Sequence, residues 1–181
     1  MREARSTLAE QVSTESRGVL ASSLLMNIST SASVLIPRPR EEVFAVATDS
    51  TNAPRTLRSR GPFAGIRKIE MHEGQTLATG ARRKILMTDG TVLEEVVLDY
   101  DPPVRHRYGW TGGAKLPFSL LVQSGTGNWE FTEVEAGTRV VWSYIFELTS
   151  PLAYPLAVPI VWLFKGWLQQ GLEAIRAELL S

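Results

Sequence analysis

The sequence has no cysteine and only two histidines, His72 and His106. The absence of cysteine excludes disulfides, thiolate zinc sites and cysteine nucleophiles, and two imidazoles argue against a structural metal site. The glycines form neither a GxGxxG pattern nor a Walker loop, which argues against nucleotide binding. We therefore expect neither a metal nor a cofactor.

An excess of charge of one sign is also lacking, because 19 Lys and Arg residues balance 19 Asp and Glu residues. Without a global field to attract polyanions over long range, we expect no nucleic-acid partner. The longest apolar run, Leu152–Phe164, has thirteen residues and contains two prolines. A bilayer span needs about 20 residues, so we expect no transmembrane segment. The first residues lack the apolar stretch of a secretory signal, which favours the cytoplasm.

Length and composition fit one globular domain, since a chain of 181 residues with 44% hydrophobic residues can bury a core. Residues 1–25 are polar and predict an N-terminal extension that is helical or disordered. The folded domain then covers residues 26–181. From this change in composition we hypothesise that Met26 is the true start of the protein.

The hydrophobic pattern predicts an α+β fold. A strand begins at Asn27, and two short helices follow it, one starting at Pro39 and one over Ala53–Ser59. Residues from there to Leu148 predict antiparallel strands separated by turn signals. Apolar residues then recur at helical spacing, and we expect a long amphipathic helix from near Pro159 to Leu180 because proline disfavours an earlier start.

The sharpest turn signal is Asp89-Gly90, which predicts a two-residue type I′ hairpin. In that register Ile85 faces Glu94 and Arg83 faces Val96, so all four side chains point to the inner face of the sheet. Counting back from a second turn, at residues 101–103, gives the same parity. The inner face is therefore expected to hold Arg83 and Glu94 among aromatic side chains.

The order of elements carries a resemblance to a known family. The segments concerned are VLIPRPREEVFAVATDS at Val34–Ser50, the hairpins of Gly80–Trp110, GTRVVWSYIFEL at Gly137–Leu148 and FKGWLQQGLEAIRAEL at Phe164–Leu179. From Asn27 to its end the chain resembles the START/SRPBCC helix-grip superfamily, which includes polyketide cyclases/dehydrases and lipid-transport proteins. The resemblance implies a curved antiparallel sheet of about seven strands around a long C-terminal helix, with a hydrophobic ligand between them. It implies no catalytic motif.

Two interpretations of the inward polar groups remain open. Arg83 and Glu94 could form a structural ion pair. Alternatively, Arg83 or Tyr108 orients a ligand carbonyl or hydroxyl, and Glu94 or His106 moves a proton. The candidate catalytic residues are Glu94, His106 and Tyr108. The expected ligand-binding residues are Arg83, Glu94, Val96, Tyr108, Trp110, Phe118, Trp129, Trp142, Tyr144, Phe146, Phe164 and Leu168.

The function that we expect is the binding of a hydrophobic small molecule, such as a lipid, a polyketide or another aromatic or isoprenoid compound, by a carrier or sensor. One alternative is a cyclase or dehydratase acting on a polyketide-like substrate. Another is a peripheral membrane or partner-docking protein, because Tyr154–Trp162 is apolar enough to contact a bilayer or a subunit. Self-association into a homodimer also stays open.

Overall fold

Seven antiparallel strands, three α-helices and two short 3₁₀ helices, Phe118–Leu120 and Pro151–Ala153, make up the computed structural model, which describes residues 26–181. The predictions for residues 1–25, and for Met26 as the start, depend on residues outside this range. The elements are β1 Asn27–Ile36, α1 Arg40–Thr48, α2 Ala53–Thr56, β2 Ile66–Met71, β3 Arg82–Met87, β4 Val92–Asp101, β5 Arg105–Thr111, β6 Val122–Val134, β7 Gly137–Leu148 and α3 Tyr154–Leu180. The strand order is β1-β7-β6-β5-β4-β3-β2. The predicted helix-grip fold is confirmed.

The inner face of the sheet is as apolar as its alternation predicted. On β7 the residues at every second position, Val140, Trp142, Tyr144, Phe146 and Leu148, are all buried. Trp129 and Phe131 of the paired strand β6 are buried on the same face. Successive strand side chains point to opposite faces, so a regular hairpin transmits one inner face from strand to strand.

Helix α3 packs its second half against this face. Its buried residues are Ala157, Val161, Trp167, Leu168, Gly171, Leu172, Ile175 and Leu179. The predicted start near Pro159 is wrong, because the helix begins at Tyr154. Pro155 lies in the first turn, where its missing N–H is not needed, and Pro159 removes only one hydrogen bond.

Helix α2 is shorter than the predicted Ala53–Ser59. It ends at Thr56, because the carbonyl of Leu57 accepts a hydrogen bond from the N–H of Ile66 at the start of β2, at 2.8 Å. This contact turns the chain away from the helix and toward the edge of the sheet.

The hairpin between β3 and β4 differs from the prediction by one residue. The loop contains Thr88, Asp89 and Gly90, and only Gly90 has a positive φ, of 82°. The Gly90 N–H donates to the Met87 carbonyl at 3.1 Å, and the Met87 N–H donates to the Thr91 carbonyl at 2.8 Å. This is a type I turn followed by a left-handed glycine, a three-residue alternative to the type I′ turn.

A bulge at Leu98 explains why the pairing predicted from the turn at residues 101–103 also placed Glu94 on the inner face. The pairing of β4 with β5 shifts between Val97 and Asp99, so Leu98 is an extra residue with no partner. A bulge reverses which face the following residues occupy. The three-residue loop at Gly90 also exchanges the inner and outer faces of β4 relative to the prediction. Because neither change was predicted, the two turns gave the same, incorrect inner face for β4.

The consequence is a change of inner-face residues on β4. Arg83 pairs with Glu95, and Lys84 pairs with Glu94. The predictions that Glu94 and Val96 point inward are therefore wrong. The Glu94 side chain is 56% exposed and interacts with His72 at 3.1 Å and with Lys84 at 3.6 Å.

Two glycines of β6 make room for aromatic rings of β5. Gly127 pairs with Tyr108 and Gly125 pairs with Trp110. A Cβ atom on Gly127 would lie 2.5 Å from Cζ of Tyr108, and one on Gly125 would lie 2.8 Å from the indole of Trp110. Each ring therefore packs closely against the backbone of the neighbouring strand.

We expect Gly127→Ala to lower the free energy of unfolding by about 2 kcal/mol, because the added methyl must displace the Tyr108 ring from a packed core. Urea titration at neutral pH measures the change. Gly109→Ala is the matched control, since a Cβ there lies 3.2 Å from Cδ1 of the exposed Leu98 and makes only ordinary contacts, at 3.7 Å, with the Gly125 carbonyl and with Oγ1 of Thr126. Its effect should stay within about 0.5 kcal/mol. Equal effects of the two substitutions would contradict the packing of Tyr108 on Gly127.

Candidate functional site

A cavity of about 340 Å³ lies between the inner face of the sheet and helices α1, α2 and α3. Strands β2 to β5 form one wall, and Ile160, Phe164 and Trp167 of α3 contribute to another. The segment from Ala114 to Phe118 borders it as well. The C-terminal helix packs mainly on β1, and the open space lies over β2 to β5 and extends to Trp129 of β6 and to Trp142, Tyr144 and Phe146 of β7.

Most of the predicted ligand-binding residues line this cavity. They are Arg83, Tyr108, Trp110, Phe118, Trp129, Trp142, Tyr144, Phe146 and Phe164, and His106 lines it with them. Glu94 and Val96 lie on the outer side of β4, and Leu168 is fully buried in the solid core.

Sequence reasoning missed several residues of the cavity wall. Glu95 was missed because of the register, although the adjacent glutamates indicated that one acid would point inward. Ala53, Thr56 and Leu57 come from α2 and the turn after it, and Ala114 comes from a loop. No periodic pattern in the sequence indicates which loop residues reach a cavity.

Arg83 and Glu95 form a buried ion pair in the wall. Nε of Arg83 lies 2.9 Å from Oε2 of Glu95, and the two side chains are only 8% and 7% exposed. Burial raises the pKa of the Glu95 carboxyl, and the charge of Arg83 opposes that rise. The guanidinium also lies over the ring of Tyr108, with Cζ 5.2 Å from the ring centroid.

Two tyrosine hydroxyls accept hydrogen bonds from tryptophans. Oη of Tyr108 accepts from Nε1–H of Trp129 at 3.3 Å and of Trp142 at 3.1 Å. Oη of Tyr144 accepts from Nε1–H of Trp110 at 2.6 Å. An indole N–H can only donate, so both phenolic hydrogens stay available for another acceptor. Burial raises the pKa of both tyrosines, which are therefore neutral at physiological pH.

His106 is the most unusual polar group of the cavity. It is 3% exposed, packs against Tyr100 and Tyr108, and neither ring nitrogen has a hydrogen-bond partner within residues 26–181. Burial, with a contribution from the charge of Arg83, lowers its pKa to about 3. The neutral ring keeps one donor and one acceptor unused beside the cavity. Within the described range, no group of three or more His, Asp or Glu side chains is arranged to hold a metal.

The pKa of His106 predicts a dependence of stability on pH. Below its usual pKa of 6.5 the histidine takes up a proton in the unfolded state, whereas the folded state resists protonation down to about 3. Stability is therefore lost as the pH falls through this window, by up to about 1.4 kcal/mol per unit. His106→Phe removes this loss. The free energy of unfolding of the variant relative to the wild type should therefore increase as the pH falls from 6.5 to 4.5.

Denaturant titrations at several pH values test this expectation. His72→Gln, which alters the exposed histidine, is the control, because it leaves His106 and the loss of stability that depends on His106 in place. A constant difference between His106→Phe and the wild type across this range would contradict a low pKa for His106.

The comparison with protein families gives one match over nearly the whole described range. The model of the family described as "Polyketide cyclase / dehydrase and lipid transport" matches residues 27–180. None of the curated proteins matches the chain. The sequence resemblance to the helix-grip superfamily is thereby confirmed.

Several solved structures have a similar fold at low sequence identity. Ara h 8.0201 is 16% identical with a TM-score of 0.63, covering 86% of this chain and 99% of its own. Norcoclaurine synthase from Thalictrum flavum, in complex with dopamine and hydroxybenzaldehyde, is 14% identical with a TM-score of 0.64, and the match covers 86% of this chain and 88% of that one. The di-domain ARO/CYC BexL from the BE-7585A biosynthetic pathway is 18% identical with a TM-score of 0.60, and the match covers 95% of this chain and 59% of that one.

Proposed function

Since this chain belongs to the polyketide cyclase / dehydrase and lipid transport family, we propose that it binds a hydrophobic small molecule between its sheet and helix α3, as a carrier or sensor. The observation that carries the proposal is the aromatic-walled cavity of about 340 Å³. That volume lies within the roughly 300–1,000 Å³ range of small-molecule sites.

The composition of the walls supports an aromatic or polycyclic ligand. The rings of Trp142, Tyr144, Phe146, Phe164 and Trp167 line the space. The centroids of neighbouring rings lie 4.8 to 5.6 Å apart. A few polar groups interrupt this apolar surface, which is the usual composition of a ligand pocket. The similar norcoclaurine synthase structure holds two aromatic compounds, dopamine and hydroxybenzaldehyde.

The cyclase or dehydratase alternative has less support. Of its three candidate residues, Glu94 lies outside the cavity. The carboxylate that does line the wall, Glu95, is held by Arg83. His106 is a weak base because burial lowers its pKa to about 3. A binding role accounts for the same groups without a proton transfer.

We expect Ala114→Trp to weaken binding of the neutral fluorescent dye Nile red by at least about tenfold, because an indole at this position occupies the cavity border. Fluorescence titration gives the dissociation constants. Ala136→Trp adds the same side chain on the exposed β6–β7 turn and should bind the dye like the wild type. Native mass spectrometry after gentle purification should also find a copurified hydrophobic compound. If Ala114→Trp still bound the dye and retained the copurified compound, the proposed site would be contradicted.

A second candidate function concerns an exposed apolar surface, which we call the mouth patch. It consists of Leu116, Leu120, Leu152, Leu156 and Trp162, each at least 62% exposed. The N–H and hydroxyl of Thr149 donate to the carbonyls of Leu121 and Leu120, at 3.0 and 2.7 Å, and these bonds hold the contributing segments together. Leu116 also lines the cavity, so the patch borders its opening.

We propose that the mouth patch docks on a bilayer that contains anionic lipids. The segments 116–122 and 148–164 have no charged residue, whereas Lys115 precedes the first and Lys165 follows the second. Apolar side chains flanked by lysines match the acyl and headgroup layers of such a membrane. Within the described range, one helical segment, Pro151–Leu180, which contains α3, is long and apolar enough by composition to cross a bilayer.

We expect the wild type to float with vesicles of phosphatidylcholine and phosphatidylglycerol, and Leu156→Ser/Trp162→Ser to stay in solution, because the double substitution removes the apolar contact. Leu180→Ser alters an exposed leucine at the far end of α3 and should float like the wild type. A wild type that does not float but dimerises with rising concentration in light scattering would assign the patch to a second copy of the chain and overturn the membrane proposal.

A further inference from the structure

The charged groups that line the cavity place each cation beside a carboxylate of the same wall. They are Asp49, Arg83, Asp89, Glu95 and Lys115. Arg83 is paired with Glu95 at 2.9 Å, and Lys115, near the opening, lies 4.0 Å from Asp89. A ligand carboxylate would add a negative charge to a wall that is already neutralised and largely dehydrated, which is unfavourable at low dielectric.

The unused polar groups of the same wall are mostly hydrogen-bond donors. The hydroxyls of Tyr108 and Tyr144 each accept from an indole, so each has a hydrogen left to donate. Nε1–H of Trp167 is buried with no acceptor in residues 26–181. His106 adds one donor and one acceptor, and it too lacks a partner there. Buried polar groups without partners are uncommon in folded proteins and need an explanation.

We propose that this wall selects uncharged ligands that carry a carbonyl or similar oxygen acceptor at their buried end, and that the Arg83–Glu95 pair excludes carboxylates. A carbonyl oxygen satisfies the free donors without adding charge. A carboxylate offers the same oxygen atoms but meets Glu95 beside the only buried cation of the wall. The ion pair thus leaves hydrogen bonding intact and removes attraction for anions. This inference rests on the proposed binding function and specifies its ligand class.

Three naphthalenes of similar shape test the selectivity at pH 8, where the acid is ionised: 2-acetylnaphthalene, 2-naphthoate and 2-ethylnaphthalene. Competition against Nile red gives their dissociation constants. We expect the ketone to bind at least about threefold more tightly than the hydrocarbon and at least about tenfold more tightly than the acid. Binding of none of the three would contradict the proposed function itself. Equal binding of all three, or tight binding of the acid, would retain that function and overturn the selectivity.

Glu95→Gln tests the role of the ion pair. It frees Arg83 to pair with the ligand, so naphthoate should gain at least about tenfold in affinity while the ketone changes by less than about threefold. Glu94→Gln is the matched control, because the adjacent glutamate lies on the outer face, and all three affinities should stay unchanged. Unchanged naphthoate affinity in a folded Glu95→Gln variant would overturn the proposal.

A second variant keeps the test decisive if Glu95→Gln does not fold. In Arg83→Gln/Glu95→Gln both charges are absent, so no unpaired charge remains to destabilise the core. This variant should still prefer the ketone to the hydrocarbon, because the tyrosine and indole donors are present, and it should not gain affinity for naphthoate. If the double variant gained affinity for naphthoate, a group other than Arg83 would be binding the carboxylate, and the proposed mechanism would be overturned.

Discussion

The packing of helix α3 into the concave face of the sheet is the contact on which the rest of the structure depends. Its second half buries an apolar stripe on β1 and β7, whereas its first half buries only Ala157 and Val161. Gly171 allows close approach of α3 to the turn after α2 and to the sheet, since a Cβ there would lie 2.6 Å from Cδ2 of Leu57 and 3.3 Å from Cζ3 of Trp142. One end of the sheet is therefore filled and the other stays open. The cavity and the exposed mouth patch both result from this unequal filling.

The polar groups of the cavity are arranged around the aromatic rings. Tyr108 connects them, because its hydroxyl accepts from two tryptophans and its ring face lies beside Arg83 and His106. Gly127 of β6 allows that ring to pack closely against the strand backbone. The glycines of β6 thus determine where the neighbouring strand β5 presents its hydrogen-bond donors, whereas the Arg83–Glu95 pair neutralises the buried charges of the wall.

The fold could be predicted from the sequence because its strongest signals are regular. Alternation along β7 and the helical spacing around Trp167 assign inner faces without reference to any turn. The inner face of β4 could not be assigned in this way, since its two ends are an irregular loop at Gly90 and a bulge at Leu98. A one-residue difference exchanges the two faces of a strand. Glu94 was consequently placed in the position that Glu95 occupies, and the loop residues of the cavity wall had no sequence signal at all.

The sequence of β4 has a consequence for errors in strand alignment. Residues 94–97 read Glu-Glu-Val-Val, so each inward residue has an identical neighbour. A strand that slipped by one position while the sheet assembled would still offer one carboxylate to Arg83 and one valine to the core. This duplication makes the misaligned hairpin chemically tolerable, and it leaves the turn at Gly90, not the side chains, to decide between the two alignments.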